Sequence, residues 1–98
     1  MKVLKFRKFK KNSLRGFFEL QLPSGMAMRD LTYHSKDNRR WVGYPSKPYT
    51  DESGNQKYQN QIYFPDKQVH EKFQQMALTA LDSYFATHQG DHPADIPF

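Results

Sequence analysis

The stretch PDKQVHEKFQQMALTALDSYF, residues 65–85, decides the fold. Val69, Phe73, Met76, Ala77, Ala80, Leu81 and Tyr84 recur at helical spacing, while Lys72, Gln75, Thr79 and Asp82 fall elsewhere on the circumference. Such a pattern is one apolar stripe about five turns long. Asp66 precedes it as an N-cap, a carboxylate placed to accept the free amide hydrogens of the first turn. The helix is expected to run to 86–88 and to stop before Gly90. A stripe this apolar needs a sheet to cover, and the rest of the chain reads as strands.

Working backwards, residues 57–64 form an expected strand with Tyr58, Ile62 and Phe64 on one face. Residues 45–55, with Pro45, Pro48, Asp51, Ser53 and Gly54, read as an irregular loop turning at 53–55. Residues 39–44 form another strand. Arg40, Val42 and Tyr44 point to one face, and Arg39, Trp41 and Gly43 to the other. In the strand at 26–34, Met26 and Met28 share a face while Leu31 and Tyr33 share the opposite one. A bulge near Arg29-Asp30 reconciles the two, because one extra residue flips the alternation. Leu22-Pro23-Ser24-Gly25 is a turn, with proline at the second position and glycine at the fourth. Before it, 15–22 alternates with Phe18, Leu20 and Leu22 on one side, and 2–9 is a basic first strand. The expected architecture is α+β: an antiparallel meander of about five strands packed by one C-terminal amphipathic helix. One domain spans 1–88, and 89–98 is an irregular tail.

Bulk properties agree with one small domain. The chain has 98 residues, 37% hydrophobic and 15% aromatic. It has no cysteine, which removes disulfides, thiolate metal sites and cysteine nucleophiles. No apolar run reaches the length of a membrane span, and the N-terminus lacks a signal-peptide core, so a cytoplasmic location is expected. A core this small gains from a second copy, and a homodimer is expected.

Charge is uneven. Residues 1–49 carry twelve Lys/Arg against three acids, and residues 50–98 carry three against seven, summing to the net +5. An anionic partner for the first half follows. Two clusters stand out. Lys5, Arg7, Lys8, Lys10, Lys11 and Arg15 are interleaved with Phe6, Phe9 and Phe17, a strand that offers cations for phosphates and rings for bases. The competing reading makes Phe6 and Phe18 core and the lysines guards of an edge strand. The second cluster is Arg39-Arg40-Trp41 with Tyr44 and Lys47, where adjacent arginines beside a tryptophan suit holding a phosphate and stacking a base, while the competing reading puts Trp41 in the core. The scattered histidines and carboxylates suggest neither a metal site nor a catalytic triad, and no Gly-rich phosphate loop occurs. The chain therefore reads as a non-enzyme without cofactor or small-molecule substrate.

Across residues 3–84 the sequence resembles the SpoVG family of small bacterial regulators. The likeness rests on order: a strand ending in Leu22, the step Met28-Arg29-Asp30-Leu31, Tyr44-Pro45-Ser46-Lys47 similar to the family's Pro-Ser-Lys, and an acidic turn at 51–54. Phe64-Pro65 and a single helix carrying Tyr84 complete it. The resemblance implies a dimeric regulator that binds DNA and RNA. The tail departs from it, holding Asp91 and Asp95 where relatives often carry basic residues, so contacts are expected in the basic first half. A weaker likeness, of topology alone, is to single-stranded-DNA-binding transcriptional coactivators. A protein-interaction module on the same fold is the alternative.

Overall fold

The computed structural model describes residues 1–88; the expected tail at 89–98 lies outside the described residues. Six strands precede one helix: β1 (Lys2–Lys11), β2 (Leu14–Gln21), β3 (Ala27–Lys36), β4 (Arg39–Gly43), β5 (Ser46–Thr50), β6 (Gln56–Asn60) and α1 (Lys67–Thr87). The fold is α+β. β1-β2-β3-β4 form one antiparallel sheet in chain order, and β5 with β6 forms a separate two-stranded sheet.

Local chemistry sets each turn. Asn12, with φ 55°, turns β1 into β2. The Gly25 amide donates to Leu22 O at 2.9 Å, closing the turn with glycine in its fourth place. Asp37 and Asn38 both adopt positive φ (53° and 64°) between β3 and β4. Two left-handed residues in a two-residue loop match the twist of the strands they join. The β3 bulge is present. Phe18 faces Leu31 and Leu20 faces Met28, so Arg29 and Asp30 together oppose one residue of β2. Asp30 takes φ 61° there. As a result Met28 and Leu31 are both buried.

α1 covers one face of the four-stranded sheet. Val3, Phe6, Phe18, Leu20, Met28, Leu31, Tyr33 and Val42 meet Phe73, Ala77, Ala80, Leu81 and Phe85 in one core. Leu20, Leu31 and Leu81 are its largest fully buried side chains. Burial of each contributes about 1.5–3 kcal/mol. Asp66 caps the helix, its carboxylate accepting from the Gln68 amide at 2.8 Å and the Val69 amide at 3.3 Å. Gln74 stitches helix to sheet: Val42 N donates to its Oε1 at 2.8 Å, and its Nε2 donates to Val42 O at 2.9 Å.

Three details differ from the sequence expectations. The stretch read as a loop at 45–55 contains β5. The strand expected at 57–64 is β6, which ends at Asn60; Ile62 and Phe64 reach the core from irregular chain beyond it. The helical stripe is also rotated toward its C-terminal end. Val69 and Met76 are exposed, and Phe85 is buried in a ring contact 5.0 Å from Phe6.

Candidate nucleic-acid interface

The sheet has a second face, which α1 does not cover. Residues paired directly across an antiparallel ladder share a face. Two rows therefore cross it: Lys11, Leu14, His34 and Trp41, then Arg7, Phe17, Thr32 and Gly43. Lys5 opposite Glu19 begins a third. Gly43 shows how tightly this face is packed, since a Cβ there would overlap Thr32 Oγ1.

Two ring pairs lie on this face. Phe9 packs on Phe17 with centroids 5.8 Å apart, and the Arg7 guanidinium sits 5.1 Å above the Phe17 ring. His34 and Trp41 stack with centroids 5.2 Å apart and planes within 2° of parallel. Both imidazole nitrogens are engaged, Nδ1 with Ser13 Oγ at 3.0 Å and Nε2 with Thr32 Oγ1 at 2.9 Å. Burial, then the Arg15 charge, pushes the His34 pKa below its ordinary value of 6.5. Phe9 and Trp41 keep substantial exposure, 48% and 38%. A shallow depression of about 300 Å³ at Phe17 is lined by Lys5, Arg7, Glu19 and Asp30 among others.

The cations surround these rings. Lys5, Arg7 and Lys11 stand on β1. On β4, Arg39 shares the alternation of Trp41 and Gly43 and is paired across the ladder with Lys36. Two cations set directly opposite repel, and an anion placed between them relieves that repulsion. Glu19 and Asp30 are the carboxylates of this face, and Glu19 lies 3.6 Å from Arg29 Nε.

The other sequence candidates divide. Arg40 is on the helix side, its guanidinium bidentate to Asp82 at 2.6 and 2.7 Å. That bond raises its already high pKa further. Tyr44 packs among Phe64, His70 and Phe73, and its hydroxyl accepts from Gln74 Nε2 at 2.8 Å. Burial raises the Tyr44 pKa, against a lowering by the Gln74 bond. Lys8, opposite Gly16, shares the Phe6 side of the sheet. Arg15 holds the β1–β2 turn, donating to Asn12 O at 2.7 Å. Lys10 is exposed at the irregular end of β1, and Lys47 lies on the separate hairpin. Trp41 is a surface ring rather than a core one. Sequence reasoning did not select His34; its signal was the alternation Thr32-Tyr33-His34, which puts two polar residues on the side away from buried Tyr33.

Among the described residues no three His, Asp or Glu side chains are placed to hold a metal ion, and no helix is long and apolar enough to cross a membrane. Comparisons with family models, curated proteins and solved structures find no match to this chain.

Proposed function

We propose that the uncovered face of the β1–β4 sheet binds single-stranded nucleic acid. The observation that carries this reading is the coincidence, on one open face, of two ring pairs with Lys5, Arg7, Lys11 and Arg39. Single strands need cations that track phosphates and rings on which bases stack, and a sheet presents both at alternate positions. Duplex reading in the major groove calls for a helix or a two-stranded ribbon rich in basic side chains, and the β5–β6 ribbon is neutral, Lys47 and Lys57 balancing Asp51 and Glu52. The exposed side of α1 mixes Lys67, Lys72, Glu71 and Asp82, and its last turn has no basic residue. The motif order shared with SpoVG-type regulators supports the same reading, with a dimeric, non-catalytic regulator as the role.

Fluorescence anisotropy with labelled single-stranded DNA, RNA and duplex tests it. Single-strand affinity should fall linearly with salt in log–log form, with a slope of about −0.7 per neutralised phosphate. Replacing Lys5, Arg7 and Arg39 together by Ala should reduce that slope by two or more. Replacing Lys8, Arg40 and Lys47, which lie off the face, should change it little. Absence of binding to all three nucleic acids at low salt, or equal loss from both triple variants, would overturn the proposal.

A further inference from the structure

The two sheets have four edges, and three of them are closed to further pairing in different ways. β1 is long but carries Lys2, Lys5, Arg7, Lys8, Lys10 and Lys11, so a second copy laid beside it would set cation against cation. On β4, the Gln74 side-chain amide takes both the N–H and the C=O of Val42, as a neighbouring strand would. β5 carries Pro48. The Asp51 amide donates to Asn55 O and the Gln61 amide to Pro45 O, so odd-numbered residues of β5 turn their main-chain groups toward β6. Pro48 therefore lies on the outward side, where it removes the central donor.

β6 is different. By the same alternation Gln56, Tyr58 and Asn60 point their N–H and C=O groups outward, and the strand contains no proline. Every residue of β5 and β6 is exposed. A two-stranded hairpin alone is marginally stable in water and gains from a further strand.

We propose that β6 is the self-association edge of this protein. Two copies pair their β6 strands antiparallel about a two-fold axis at Tyr58, joining two hairpins into one four-stranded sheet. The sequence Gln56-Lys57-Tyr58-Gln59-Asn60 suits its own reverse. Tyr58 meets Tyr58 of the second copy, with its ring 70% exposed and free to pack. Gln56 meets Asn60 and Lys57 meets Gln59, so no like charges are opposed. Three outward residues per strand exchange about six main-chain hydrogen bonds across the axis. The hairpin is also neutral, Lys47 and Lys57 balancing Asp51 and Glu52, in a chain whose net charge of +5 opposes association elsewhere. Such a contact is isologous and closes at two copies. It does not depend on nucleic-acid binding.

Sedimentation equilibrium combined with amide hydrogen exchange tests it. The wild type should be a dimer, with the Gln56, Tyr58 and Asn60 amides protected in a concentration-dependent way. Tyr58→Pro removes an outward donor while leaving the β5–β6 bonds intact, and should weaken the dimer at least about tenfold. Thr50→Pro makes the same change on the outward side of β5 and should leave the dimer unchanged. Gln59→Glu sets a carboxylate opposite the second copy's Lys57 and should tighten it, a readout independent of any damage by proline. A wild type that stays monomeric at millimolar concentration would overturn the proposal. So would a dimer whose outward β6 amides exchange freely, or one that neither Tyr58→Pro weakens nor Gln59→Glu tightens.

Discussion

β3 carries both faces of the sheet on neighbouring residues. Met28, Leu31 and Tyr33 are buried beneath α1, while Asp30, Thr32 and His34 lie on the side that α1 leaves uncovered. The covered face is held by volume and apolar area. The open face is held by pairwise contacts, such as the stack of His34 on Trp41 and the guanidinium of Arg7 over Phe17. One strand thus obeys two sets of rules, and a substitution should report which set governs its position.

The largest expected effect is on the covered side. Leu31 has no exposed surface and faces Phe18 across the ladder. Leu31→Ala should lower unfolding stability by about 2–5 kcal/mol, measured by urea denaturation. Loss of affinity for single strands should follow only through the unfolded fraction. If Leu31→Ala unfolded the protein no more readily than a surface change, the contrast between the faces would fail.

On the open side the balance should reverse. Phe9 is 48% exposed and touches Phe17. Phe9→Ala should change stability by about 0.5 kcal/mol or less. Its effect on single-strand affinity should be larger, about 1–3 kcal/mol, the range for a stacked base. Anisotropy and urea denaturation on the same variant separate the two. A Phe9→Ala protein that loses stability but keeps its affinity would place this ring with the core.

The same division explains what the sequence revealed. α1 was legible from its 3.6-residue period and from Asp66, because helix capping and amphipathicity are local. The β3 bulge was legible because Met28 and Leu31 are spaced wrongly for one face of a regular strand. β5 was not, since Ser46-Lys47-Pro48-Tyr49-Thr50 has no buried member to impose an alternation. Nor was the use of Arg40, whose partner Asp82 lies 42 residues away. Cations on adjacent positions of β4 look equivalent in sequence, yet the pleat sends Arg40 to the helix and Arg39 to the open face. The face alternation itself was readable from Val42; which face the helix would take was a tertiary matter. Trp41 stood between a site reading and a core reading for a related reason, because a large ring is expected inside unless the sheet has a face left uncovered.

The smallest effect, and the sharpest test of the open face, concerns His34. Its ring is stacked on Trp41 and bonded at both nitrogens, to Ser13 of the β1–β2 turn and to Thr32 of β3. Lys11 lies in the same cross-sheet row, and the Arg15 charge of β2 opposes protonation of the ring. Burial acts in the same direction and is the larger cause. In the unfolded chain the imidazole titrates near 6.5, whereas in the folded protein it takes its proton only at lower pH. The unfolded state therefore binds more protons in that interval, and stability should fall as pH drops below 6.5. It should level off once the pH is below the folded value. Urea midpoints from about pH 8 to about pH 5 should show this step in the wild type and a flatter profile in His34→Gln. Trp41 is the single tryptophan, so its fluorescence reports the same event directly. A bound single strand would bring phosphate to this row and favour the charged imidazole, moving the fluorescence transition to higher pH. If the transition stays where it is when single-stranded nucleic acid is bound, the phosphates do not pass over His34, and the contact must be confined to the Phe9–Phe17 side of the face.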